Sequence, residues 1–221
     1  MEKLFEQLTG IGEAGGTLVM GRPSIIIVSC LVFIFTIIML YKRKSDLKRR
    51  LWFITFTFAV YISLLIRITL FPITVFPNTE YRHLITMMMF DRDFPYTISE
   101  ILNLHLIPLE AIILSLPREL TWFHWYFSLR GILGNIVLLY PFGMFLGYIS
   151  TEFTLKKAIW MGIIISGTIE ISQLLINLAT QFPNRIVAID DVILNTIGFV
   201  VGVLIIKKIK PYFDKIIDKM K

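Results

Sequence analysis

The chain has 221 residues, a mean hydropathy of +0.73 and 17% charged residues. A soluble domain of this size carries roughly 25% charge, and here the deficit lies in long uncharged runs, the pattern of a chain that spans a bilayer. The net charge of +6 calls for no nucleic acid, because lysines at the face of an anionic leaflet account for it. The single cysteine, Cys30, excludes an intramolecular disulfide and a thiolate zinc site.

Residues 1–23 contain Glu2, Glu6 and Glu13 but no apolar core, so they read as an extracytoplasmic N-terminal segment rather than a secretory signal. Residues 24–221 read as a membrane domain. Its first predicted span, 24–41, ends in Lys42-Arg43-Lys44, and its second, 51–76, has Arg67 as its only charge. The segment 77–128 then holds His83, His105 and His124, four prolines and the aromatic run Trp122–Phe127. Such aromatics suit the headgroup level. The apolar stretch 98–116, broken at Pro108, fits either an interfacial or a re-entrant segment. Three further spans are predicted at 129–151, 158–180 and 189–206, each near the roughly 20 residues that cross the hydrocarbon. The expected fold is therefore an all-α polytopic integral membrane protein with about five transmembrane helices.

The loops set the direction. Residues 42–50, 152–157 and the tail after 206 together hold fourteen Lys/Arg, against seven on the opposite side, which also carries eleven Asp/Glu. The positive-inside rule then places the N-terminus outside and the C-terminus in the cytoplasm of a multi-pass protein.

Polar groups inside a membrane are costly unless they face a partner or a cavity. Ser166, Glu170, Gln173 and Asn177 recur every three or four residues and so share one helical face. A seam that glues helices through hydrogen bonds explains Ser166 and Asn177 best, whereas a carboxyl such as Glu170 is expensive glue. Asp191, Asn195, Gly198 and Gly202 form a second such face, whose glycines let another backbone approach closely, with Asp190 and Asp191 in its first turn. There a carboxylate is favoured as a cap and by the helix dipole. Asn135 precedes Pro141, whose ring removes a backbone bond, and Gly143 and Gly147 allow close helix approach. With the orientation above, polar groups of four spans lie in the outer leaflet. A shared pocket in which Arg67 or Arg185 neutralises Glu170 and the aspartates is the economical arrangement.

The series Asn135-x5-Pro141-Phe142-Gly143, Glu170-x2-Gln173 and Arg185-x4-Asp190-Asp191-x3-Asn195-x2-Gly198 resembles the signature of the VanZ-like family over roughly 130–205. The family also has an Asn-Leu-Ile-Pro element, which reads His105-Leu106-Ile107-Pro108 here, with Asn103 two residues earlier. The resemblance implies a bacterial cell-membrane protein linked to resistance against glycopeptide antibiotics, teicoplanin above all. It implies no settled reaction; no cofactor and no resident metal are expected. The favoured reading is a binding protein rather than an enzyme. Its partners would be membrane lipids, a lipid-linked wall precursor or a lipoglycopeptide tail at the outer leaflet, recognised by the Arg/Asp/Glu cluster. The alternative is a membrane enzyme acting on a lipid or envelope headgroup through Glu170, Asp190 and Asp191, the residue types that supply acid/base groups or hold a divalent metal. A transporter is third, since the sequence has no internal repeat.

Overall fold

The computed structural model describes residues 11–12, 15–18, 27, 30–32, 34, 38, 49–75, 96–115, 122–150 and 153–219. Its elements, in chain order, are β1 (Ile11–Gly12), β2 (Gly15–Leu18), α1 (Arg49–Leu70), β3 (Ile73–Val75), α2 (Ile98–Leu102), β4 (Leu104–His105), α3 (Glu110–Ser115), α4 (Trp122–Ile149), α5 (Leu155–Thr180), β5 (Val187–Ala188) and α6 (Ile189–Lys219). The strands are short, and the protein is a helical membrane protein. Among the described residues three helices are long and apolar enough to cross a bilayer: Leu129–Ile149 in α4, Leu155–Thr180 and Ile189–Tyr212 in α6.

Three of the five expected spans are thus met among the described residues. Span 24–41 lies outside the described residues apart from six isolated helical positions. The second span is shorter than 51–76, because its apolar helix ends at Leu70. Pro72 has no N–H to continue the ladder and disfavours a helical Phe71 before it. The chain turns instead into β3, which pairs antiparallel with β2 through Gly16–Val75, Thr17–Thr74 and Leu18–Ile73. The aromatic run Trp122–Phe127 is the first part of α4 rather than a loop, and α6 continues well past 206.

The helices are turned inside out relative to soluble ones. On α5, Ser166, Glu170, Gln173 and Asn177 are buried while Ile163, Ile164, Ile171, Leu175 and Leu178 face outward. On α1, Thr55, Ser63 and Thr69 are buried while Phe56, Leu64 and Ile68 are exposed. Surrounding hydrocarbon dictates this pattern, since it solvates apolar side chains and leaves polar ones without partners. The Ser63 and Thr69 hydroxyls also donate to the carbonyls four residues back, Ala59 at 3.0 Å and Leu65 at 2.8 Å.

The chain divides into two compact units, Met1–Leu104 with Ile171–Val187, and His105–Glu170 with Ala188–Lys221. Within the second, α4 and α6 pack backbone against backbone. A Cβ at Gly198 would overlap the Ile136 carbonyl, one at Gly143 the Phe199 carbonyl, and one at Gly202 the Tyr140 carbonyl. Only glycine permits that approach, so the close packing expected of Gly143 and Gly198 is realised between these two helices. Pro141 lies on α4 among these contacts, and the helix runs through it. At the far end of α4, the Lys210 ammonium donates to the Tyr148 carbonyl at 2.7 Å and Lys207 donates to the Phe153 carbonyl. These bonds satisfy carbonyls at and just beyond the C-terminal turn of α4.

Candidate functional site

The second unit gathers carboxylates. α6 begins at Ile189, so Asp190 and Asp191 occupy its first turn, and Asn195 lies one turn further along. Asp190 is 1% exposed and uses both oxygens: Oδ1 accepts the Leu109 N–H at 2.6 Å and Oδ2 the Ile112 N–H at 3.1 Å. These donors flank the start of α3, whose first N–H groups have no intrahelical acceptor. Asp190 therefore anchors the segment after Leu106-Ile107-Pro108.

Asp191 points to different company. Its Oδ1 accepts the Asn135 carboxamide N–H from α4. The Glu170 carboxylate, from α5, accepts the Ala188 N–H at 3.1 Å through Oε2, and it interacts electrostatically with Asp191. One layer along, Asn195 Nδ2 donates to Ser166 Oγ at 2.9 Å, and Asn195 Oδ1 is buried without a partner. Three apolar helices thus supply two carboxylates, two carboxamides and a hydroxyl to one set, in which Ser166, Glu170 and Asn195 are buried and Asn135 and Asp191 half-buried. The set is rich in acceptors, which suits a proton, an ammonium or hydroxyl donors. Among the described residues no group of three or more His, Cys, Asp or Glu is placed to hold a metal.

The first unit gathers amides. Asn177, 0% exposed, clamps the backbone of Arg185 from both sides: Oδ1 accepts its N–H at 3.0 Å and Nδ2 donates to its carbonyl at 2.8 Å. Asn103 Nδ2 reaches the same carbonyl at 3.2 Å, and its own carbonyl accepts the Val187 N–H at 3.0 Å. Asn103 closes α2 in the left-handed region, with φ 47, a conformation asparagine tolerates. Asn184 binds Thr74 in the same two-way fashion, at 2.6 Å to its N–H and 3.2 Å to its carbonyl. Gln173 donates to the Thr69 carbonyl at 3.0 Å.

The Arg185 guanidinium donates to the Phe71 carbonyl, and its Nε is buried without a partner. Burial holds its pKa below the usual arginine value. Arg67 is exposed in the last turn of α1, where a cation complements the carbonyl end of the helix. The neutralising ion pair expected of Arg67 or Arg185 is not formed among the described residues, where His105 Nδ1 lies 3.6 Å from Glu110 Oε2. A carbonyl already satisfies part of the Arg185 fork. His105 holds the first position of the Leu-Ile-Pro element, and it is Asn103 that supplies a carboxamide from this stretch.

Sequence reasoning underrated three asparagines. Asn177 reads as glue, Asn103 as a displaced motif residue, and Asn184 carries no motif at all. The available signal was the Pro183-Asn184-Arg185 turn, since asparagine between a proline and a helix start commonly binds nearby backbone.

No curated protein and no solved structure matches the chain. A model of the VanZ/LLP1 family does, over residues 58–210, a stretch that includes nearly all of the three apolar helices, the carboxylate set and the amide-held turn. With that match extending over most of its length, the chain belongs to the VanZ/LLP1 family.

Proposed function

We propose that the protein is a multi-pass component of a bacterial cell membrane, with its N-terminus outside and its C-terminus in the cytoplasm. It takes part in resistance to glycopeptide antibiotics by binding a lipid, a lipid-linked wall precursor or the lipid tail of an antibiotic such as teicoplanin. The observation that carries this reading is the Glu170–Asp191–Asn135 set, in which helices that otherwise face hydrocarbon enclose hydrogen-bonding groups. Structural glue would pair donors with acceptors. Here two carboxylates interact and a buried Asn195 oxygen has no donor, so the set is under-supplied with protons and suits a donor-bearing headgroup.

A second reading is a membrane enzyme that acts on a lipid or envelope headgroup. Two interacting carboxylates favour it, since such a pair can divide acid and base roles. Asp190 drops out of this reading, because both its oxygens are bound to backbone N–H groups.

The test is protection of a susceptible Gram-positive host. Glu170→Gln and Asp191→Asn should each abolish protection against teicoplanin at unchanged protein abundance, with a smaller effect for vancomycin, which lacks a lipid tail. Lys208→Ala should change nothing. Loss that merely tracks abundance would reduce the set to a folding device. Loss of protection with retained lipid binding would favour the enzyme.

A further inference from the structure

The start of α5 carries a slot of about 410 Å³ lined by Phe153, Lys156, Lys157, Trp160, Met161 and Ile164, away from the carboxylate set. The surface of the slot is almost wholly apolar, and charge is supplied at one end by lysines. Lys156 and Lys157 are exposed in a first turn that holds no acidic residue. Lys207 donates to the Phe153 carbonyl and so brings a third ammonium beside the slot. One turn further along, Trp160, Met161 and Ile164 present apolar surface, at 58%, 36% and 59% exposure. They lie at the head of a helix long and apolar enough to cross the bilayer.

Two lysines in a first turn run against the helix dipole, which favours anions there. Tryptophan sits favourably at the headgroup level. A ligand that satisfies both the apolar slot and the lysines at its end has an anionic head and an apolar tail. We infer that the slot holds an anionic phospholipid, its phosphate between Lys156 and Lys157 and an acyl chain along Trp160, Met161 and Ile164. Free phosphate would leave the apolar half empty, and a zwitterionic lipid would leave the ammonium groups uncompensated. The site is separate from the proposed headgroup site and stands whether or not that reading holds.

The experiment uses the full chain in detergent, loaded with phosphatidylglycerol or phosphatidylcholine of identical acyl chains, with bound lipid counted by native mass spectrometry. Phosphatidylglycerol should be retained at least tenfold better. Lys156→Gln and Lys157→Gln should each lower its retention about fivefold, as expected for one lysine near an anionic headgroup. Trp160→Ala should weaken it too, and inorganic phosphate should not compete. Lys208→Gln, next to Lys207 on α6 but outside the slot, should leave retention unchanged. Equal retention of the two lipids, or equal loss from Lys208→Gln, would replace the slot with diffuse attraction to lysines. Competition by inorganic phosphate would remove the acyl chain from the proposal. The single substitutions lie on an exposed turn, so they remain informative if a double variant fails to fold.

Discussion

The turn after α5 and the start of α6 are both held by polar side chains, yet they use opposite chemistry. The turn relies on Asn177 and Asn184, whose amides each offer a donor and an acceptor to one residue's backbone, and on Asn103, whose amide donates. The start of α6 relies on Asp190, which receives two N–H groups and donates nothing. Each choice follows from what the backbone presents. A peptide bond exposed edge-on needs both functions, so an amide copies a missing strand, whereas the start of α3, which Asp190 ties to α6, offers N–H groups alone, and a carboxylate accepts two of them. Next to these satisfied anchors, Glu170 and Asp191 stand out as carboxylates with one recorded hydrogen bond each. That contrast separates scaffold from candidate site.

Exchanging amide for carboxylate breaks the comparison most sharply at Asn177. Asn177→Asp removes the donor to the Arg185 carbonyl and buries a charge opposite that oxygen, so thermal or denaturant unfolding in detergent should show a loss of about 3 kcal/mol or more. A near-neutral result would mean that the turn is not held by this amide.

The helix contact behind the α6 start should respond next. Gly198→Ala places a methyl group on the Ile136 carbonyl, which is backbone and cannot rotate away, so a loss of about 1–3 kcal/mol is expected. Gly167→Ala is the control. Nothing lies within 4 Å of its added Cβ, and helix propensity predicts a gain of up to about 1 kcal/mol. Equal effects at the two glycines would remove close approach as the explanation.

Asp190→Asn should cost about 1–3 kcal/mol, because one of the two backbone donors then meets an amide NH₂. Hydrogen exchange gives the local readout: the Leu109 and Ile112 amides should lose protection together, ahead of amides in the middle of α6.

The smallest effect on folding belongs to Glu170→Gln. A carboxamide oxygen still accepts the Ala188 N–H, so stability should change by about 1 kcal/mol or less. If unfolding shows a loss as large as that of Asn177→Asp, Glu170 belongs with the anchors and the boundary between scaffold and site disappears.

Much of this was legible in the chain itself. The spacing of Ser166, Glu170, Gln173 and Asn177 fixes their common face, because helical geometry is local, and all four are buried. The glycines at 143 and 198 announced close approach for the same reason, and the absence of charge from long runs announced hydrocarbon. The length of the helix before Pro72 was less legible: apolar residues continue to 76, and hydropathy does not register a missing N–H. What no periodicity contains is the partner of each polar atom. Asp190 and Asp191 are adjacent and alike in sequence, but consecutive helical residues point about 100° apart. One meets the backbone at Leu109 and Ile112, the other Asn135 and the field of Glu170. Depth in the bilayer suggested that an arginine would neutralise these carboxylates, whereas the fold gives the Arg185 guanidinium the Phe71 carbonyl. Local sequence determined which residues lie inside and on which face, since that depends on a helical repeat and the solvent around it. Only the tertiary structure decided which buried group satisfies which, since hydrogen-bond partners are set by contacts between residues as far apart as 56 to 114 positions in the chain.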